Sequence, residues 1–376
     1  MSFLLSDDEM ALKELVTQFG RERIQPVIEN YEHSATFPKE ILQGLAELSL
    51  LGMMTPEAYG GTGLSFSTYA LIMQELAKYS LSVAVSVGVT GLPQTILSRY
   101  GNEAQKKKYL PDLASGEKLG AFALTEPSSG SDAAALKTSA VKKNNIYVVN
   151  GSKSFITNGG VADTYVVFVR TGEDKTRGIS ALVIEKGMKG FSFGQEEKKM
   201  ALNASSTISL HFENCYVPME NLVGQEGEGF SIAMQALNGG RITIGAESVG
   251  LATRAFEEAR DYAKLRKQFG KSISEFQAIQ IMLVDMAIGI ESASLLVRKA
   301  AFLRDKGIDY VKEASMAKTM ASDMAMMVTT KAVQIFGGNG YCEDYPVARL
   351  MREAKVLQIV EGTNQIQRLV IAKKLL

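Results

Sequence analysis

The chain has 376 residues, with 41 Lys plus Arg against 41 Asp plus Glu, enough for two or three domains each with its own core. The balanced charge leaves no net field to draw the whole molecule to nucleic acid or to an acidic membrane surface. Two histidines, His33 and His211, exclude HExxH zinc chemistry and no metal site is expected, no GxSxG elbow is present, and two distant cysteines, Cys215 and Cys342, form neither a CxxC pair nor a disulfide framework.

The N-terminal MSFLLSDDEM has no basic region followed by a long apolar core, and no uninterrupted apolar run reaches about 18 residues. No membrane association is expected, and with the lone cysteines this predicts a cytoplasmic protein. Residues 1–118 read as helices. Ser6 and Glu9 form a capping box for a helix with Leu12, Leu15, Val16 and Phe19 on one face. Further helices are predicted over 41–51, 68–78 and 103–113, with a Gly-rich loop at 59–63. Over 119–226 the pattern changes to β-branched and aromatic runs, with strands expected at 146–149, 164–169, 179–184 and 206–212, in a small antiparallel barrel or sandwich. Over 227–376 the helical period returns in four long segments, 230–267, 275–304, 310–336 and 346–376. Ile279, Met282, Leu283, Met286, Ile290 and Ala293 give the second an apolar face, and a four-helix bundle follows. The many methionines read as adaptable core packing.

Three segments carry chemistry. ALTEPSSGSD, 123–132, leaves a strand for a loop of hydroxyls and small residues, through which backbone N–H groups can approach an anionic or carbonyl-rich ligand; a plain polar turn reads equally from the segment alone. In NGSKSFITNGG, 150–160, Phe155 and Thr157 are two apart on a strand and could cover a flat ring system and hydrogen-bond its edge. The alternative is a hairpin at Asn158-Gly159 with Phe155 in the core. QIFGGNGY, 334–341, ends a long helix, and EGTNQIQR follows at 361–368. Glu361 followed by Gly362, beside Leu357, Ile359 and Val360, is a local contradiction, since Gly weakens a helix and Glu resists burial. Function explains such a violation.

With RKQFG at 266–270, these segments stand in the order of the acyl-CoA dehydrogenase family, which the chain resembles over essentially its whole length. The resemblance implies an α+β protein: an N-terminal helical domain (1–118), a middle β-barrel-like domain (119–226) and a C-terminal four-helix domain (227–376), assembled as a homotetramer with non-covalent FAD. It implies that Phe122, Leu124, Thr125 and Ser131 lie along the flavin and the thioester, and that Phe155, Ile156 and Thr157 cover the ring. Many members carry Trp where this chain has Phe155. Arg266, Gln268 and Phe269 would hold the pyrophosphate and adenine from a neighbouring subunit, completed by Gln277, Gln334, Gly337 and Gly338, while Thr363 and Gln365 would contact FAD beyond the base.

The activity implied is α,β-dehydrogenation of an acyl-CoA, as in fatty-acid β-oxidation, with an electron-transferring flavoprotein as acceptor. Glu361 would be the base, its backbone N–H donating to the thioester oxygen. Ser131, Asn238, Arg241, Val360 and Gly362 would lie on the substrate side. Some members place the base on the helix that carries Arg241, but here Gly239 and Gly240 stand there. Val360 replaces the Tyr of many short- and medium-chain members; either the pocket is wider there and tolerates branched or cyclic acyl groups, or a neighbouring side chain fills the space.

Overall fold

The computed structural model describes residues 4–376; residues 1–3, where the reading of the N-terminus begins, lie outside the described residues. In α1 (Asp7–Phe19) the Ser6 hydroxyl accepts from the Glu9 N–H at 3.2 Å and Glu9 accepts from the Ser6 N–H at 2.9 Å, so two orphan donors are satisfied reciprocally. Helices α2 (Ile28–Ser34), α3 (Lys39–Glu47), α4 (Phe66–Tyr79), α5 (Leu81–Tyr100) and α6 (Glu103–Ser115) follow. α5 carries no clear apolar stripe because nearly its whole circumference is buried, and helical periodicity fades when there is no wet face to contrast with.

The middle strands are β1 (Gly120–Ala123), β2 (Ser139–Lys143), β3 (Ile146–Thr157), β4 (Thr164–Arg170), β5 (Ile179–Glu185), β6 (Phe191–Glu196), β7 (Thr207–Pro218) and β8 (Leu222–Val223). Their order is β6-β7-β3-β2-β4-β5-β8, with β1 paired to β4. The expected antiparallel arrangement needs one correction: β1 and β2 each pair with β4 in parallel. Neither reaches β4 through a tight turn, and longer connections permit parallel neighbours. One face of β4 and β5 packs Tyr165, Val167 and Leu182 against Tyr147 and Phe191, and the other packs Val166, Phe168 and Val183 toward Leu97, Leu110 and Ile232 of the helices. The sheet is thereby fixed to the helical layers.

The C-terminal part contains α7 (Gly229–Leu265), a hairpin of β9 (Lys267–Gln268) and β10 (Lys271–Ser272), α8 (Gln277–Asp305), α9 (Val311–Phe336), α10 (Pro346–Leu357) and α11 (Asn364–Leu375). The fourth expected segment, 346–376, is thus two helices, because Glu361 (φ 55°) and Gly362 (φ 91°) adopt left-handed backbone between them. α7 is the shared wall of the molecule, packed on α4 and α5 on one side and on α8 and α9 on the other.

Candidate active site

The 358–363 turn hangs from α9. Lys318, fully buried, donates to the Gly362 carbonyl at 3.0 Å and to Asn364 Oδ1 at 2.8 Å. Gln367 Nε2 donates to the carbonyls of Glu361 (3.1 Å) and Gly362 (3.0 Å), and Asn364 and Gln358 both donate to Asp323 at 2.7 Å. Side chains of α9 and α11 therefore hold a left-handed glutamate, a conformation that costs about 1–3 kcal/mol and persists only when its surroundings over-determine it.

The turn delivers the Glu361 carboxyl to a cavity walled by α4, α5 and α7 and lined by Phe66, Tyr69, Val89, Leu92, Gly240 and Thr243 among others. A Cβ on Gly240 would fall onto this carboxyl group, and one on Gly239 onto the Arg304 guanidinium; the paired glycines are the space these side chains occupy. Although the residue is half-buried, Glu361 Oε2 is fully buried with no hydrogen-bond partner among the described residues. Burial pushes its pKa up to about 7, opposed by the charges of Arg241 and Lys318. Burial likewise pulls Lys318 down to about 8, opposed by Glu361 and Asp323. The result is an unpartnered carboxylate that ionises near neutrality and faces an apolar chamber, which suits it to take a proton from a weak carbon acid.

Arg241 and Asn238 are buried together, with Arg241 Nη1 donating to Asn238 Oδ1 at 2.7 Å; neither they nor Val360 and Gly362 are among the residues that line the cavity. Val360 packs on the helical core. Exposed Ser131 lies in the 124–132 loop.

That loop is anchored by a pair that sequence reasoning missed. Glu126 accepts from the backbone N–H groups of Lys137 (2.6 Å) and Thr138 (2.9 Å) and from Lys153 Nζ (2.8 Å), and Lys153, 0% exposed, also donates to the Leu124 carbonyl at 3.1 Å. The Ser154 N–H donates to the Thr125 carbonyl at 2.9 Å, so Leu124 and Thr125 lie beside the end of β3, with Phe122 just upstream in β1. β3 bulges between Lys153 and Ile156, where Phe155 has φ 57° and is 65% exposed; Ile156 is buried and Thr157 half-buried. Phe155 is therefore outside the core, and Asn158 ties the turn to α5 by donating to the Ser86 carbonyl at 2.9 Å. No local signal in the sequence marks this pair, whose members stand 27 positions apart.

Arg266, Gln268, Phe269, Gln277, Gln334, Gly337 and Gly338 are all exposed, at the end of the bundle where α7 and α9 finish and α8 begins. Cβ atoms on Gly270, Gly337 or Gly338 would meet nothing within 4 Å. An open, glycine-lined surface with a free guanidinium and several amides fits a pyrophosphate and a nucleobase. Gln334 lies sixteen residues along α9 from Lys318, ~24 Å at the helical rise, so this patch does not meet the Glu361 turn within one chain. Thr363, the N-cap of α11, and exposed Gln365 flank that turn instead.

Three domain families match in chain order: acyl-CoA dehydrogenase N-terminal domain over 6–117, middle domain over 121–215 and C-terminal domain over 227–376. The chain is 46% identical, over the full length of both, to the short-chain-specific acyl-CoA dehydrogenase of Clostridium acetobutylicum. The solved butyryl-CoA dehydrogenase of Megasphaera elsdenii superposes with TM-score 0.98 at 44% identity, covering all of both chains. A chain solved in work on the electron transferring flavoprotein of Acidaminococcus fermentans superposes with TM-score 0.97 at 47% identity, again over both full lengths. With the fold, the relatives and all three domains in agreement, the chain belongs to the acyl-CoA dehydrogenase family, FAD-dependent oxidoreductases that convert acyl-CoA thioesters to enoyl-CoAs.

Proposed function

We propose that Glu361 removes the proton from the carbon next to the thioester carbonyl. The observation that carries this is the Glu361 carboxyl: buried, unpartnered, held by a strained turn and aimed into the one wall of α7 that glycine leaves open. FAD, when bound, supplies the acceptor for the hydride that leaves the neighbouring carbon. The chain's own work is positioning. Lys318 and Gln367 fix the turn, the Gly239-Gly240 step admits the carboxyl, and the apolar walls of α4 and α5 exclude the water that would otherwise hydrate it.

Leu124, Thr125, Phe155 and Thr157 are the groups suited to the flavin ring, on the anchored loop beside the β3 bulge. Arg266, Gln268, Gln277 and Gln334 suit the dinucleotide end of a neighbouring subunit's FAD. Two features support assembly of several copies: the ~24 Å separation along α9, and the exposed apolar stripe Ile281, Val284, Ile288 and Leu295 on α8 with Phe269 near its start, 94% exposed. α5 and α8 are long and apolar enough to cross a bilayer by length and composition, but α8 carries Asp285, Glu291, Arg298 and Lys299 along its length, which suits a protein interface better. An electron-transferring flavoprotein is the acceptor this reading expects, in a reducing compartment such as the cytoplasm, where free Cys215 and Cys342 remain thiols.

The test is anaerobic mixing of the yellow protein with butyryl-CoA while flavin bleaching is followed. Glu361→Gln retains FAD and binds acyl-CoA, yet bleaches about 10²- to 10⁴-fold more slowly. Bleaching near the wild-type rate would overturn the assignment.

A further inference from the structure

The cavity in front of Glu361 is not apolar at its far end. Thr243 and Ile244 lie three and four positions after Gly240 on α7, and Glu247 lies four and three after them, so the four share one helix face, and all four line the cavity. Seven residues place the Glu247 backbone ~10.5 Å beyond Gly240 along the axis, with its side chain leaning back toward the reacting end. Opposite it is α5, where a Cβ on Gly88 would lie 3.3 Å from Glu247 Oε1; a glycine there gives the carboxyl its room. Glu247 is 1% exposed, and among the described residues its Oε2 is buried without a hydrogen-bond partner and no ion pair reaches it.

A buried polar group that no protein atom satisfies is an exception in native structures and asks for a partner from elsewhere. Burial pushes the Glu247 carboxyl well above the usual carboxylate range, and the charge of Glu361 acts in the same direction, both favouring the protonated form. It thus offers one O–H donor and one carbonyl acceptor. A hydrocarbon chain answers neither. The far end also holds no cation to pair with a carboxylate, because Arg304 lies at the other end, against Gly239, with its guanidinium 3.6 Å over the Phe66 ring. The complement of a neutral carboxyl is a neutral group that both donates and accepts.

We infer that Glu247 is a specificity residue that receives a hydroxyl group carried near the distal end of the acyl chain. The inference rests on the acyl-CoA dehydrogenase reading of this cavity, with Glu361 at the reacting end. The separation along α7, less the reach of the two carboxyl side chains, suits an acyl chain of about five or six carbons. Tyr69 of α4, buried and lining the same cavity as Glu247, closes the chamber on that side.

The experiment compares kcat/KM for anaerobic flavin reduction with butyryl-, hexanoyl-, 5-hydroxyhexanoyl- and 6-hydroxyhexanoyl-CoA. Wild type prefers one hydroxylated chain over hexanoyl-CoA by at least about tenfold, since a site built to bond a hydroxyl discriminates against the analogue that lacks it. Glu247→Leu, similar in bulk, inverts that preference, while Glu247→Gln, which still donates and accepts, keeps it; FAD content and the thermal transition check that both fold. Equal use of hexanoyl and both hydroxyhexanoyl thioesters by wild type overturns the inference, as does an unchanged ratio in Glu247→Leu. If the leucine variant does not fold, the wild-type ratio decides alone. Butyryl-CoA, too short to reach Glu247, reads the parent reading separately: wild type that bleaches with it but does not discriminate loses only the hydroxyl subsite, whereas wild type that bleaches with no acyl-CoA loses the base assignment as well.

Discussion

Replacing Gly240 by alanine separates the stability of α7 from the placement of the base. Gly240 sits in the interior of a 37-residue helix with ordinary helical backbone. Alanine there favours the helix by about 0.5–1 kcal/mol through lower conformational freedom in the unfolded chain. Its methyl group, however, would lie only 2.5 Å from both Cδ and Oε1 of Glu361, where ordinary contact begins at 3.4 Å. The obstacle is the far end of a side chain rather than backbone, so the fold survives and the carboxyl gives way. A displacement of about 1 Å at a reacting group costs on the order of a hundredfold in rate, equivalent to about 2.7 kcal/mol of barrier. Stopped-flow flavin bleaching with butyryl-CoA and a thermal unfolding curve on the same preparation read both effects. The expected variant is as stable as wild type or slightly more so, binds FAD, and reduces it about a hundredfold more slowly. Wild-type bleaching would refute the placement of the carboxyl against α7, and a destabilised fold would refute the claim that only the carboxyl is in the way.

Flavin reduction rises with pH through a midpoint near 7, because Glu361 acts ionised and its pKa is pushed up to about 7. Lys318→Met removes a charge that lowers this pKa, so the midpoint moves upward and the deficit is larger at pH 6.5 than at pH 9, where Lys318, with a pKa of about 8, is mostly neutral in wild type; an unmoved midpoint contradicts the coupling. Lys153→Met strands the buried carboxylate of Glu126 and lowers stability by about 3–5 kcal/mol in denaturant titration, with most of the loss recovered in Lys153→Met/Glu126→Gln; an equally unstable double variant rules this out. Arg266→Ala lowers FAD content and the oligomer fraction in sedimentation together, and a colourless assembly of undiminished stability would break that link.

What could be read in advance depended on whether the deciding contact was local. The Ser6–Glu9 box is a relation between residues three apart, and the middle strands announce themselves by β-branched runs of their own. The Glu361-Gly362 dipeptide was legible as a violation, and the violation marks the left-handed turn that divides α10 from α11. Lys318 and Lys153 were not legible, because a lysine looks the same whether exposed or buried and their partners stand 44 and 27 positions away. β6 was missed as an edge strand interrupted by Gly194, and the extent of α5 could not be read because a mostly buried helix shows little of the contrast on which periodicity depends. Glu247 reads as one more helical carboxylate until Gly240 fixes which face of α7 meets the cavity.

α9 has Lys318 near one end, turned wholly inward, and Gln334 at the other, turned to solvent. At about 100° per residue, the sixteen positions between them rotate the two side chains to nearly opposite sides of the helix. The helix is therefore a ruler with two marks, one set against the Glu361 turn of its own chain and the other facing outward on the exposed patch with Arg266 and Gly337. Deleting a single residue anywhere between the marks would swing one of them by about 100° relative to the other, so no compensating substitution at either end could restore both. The length of this stretch is therefore fixed by the two marks, independently of the buried side chains along it.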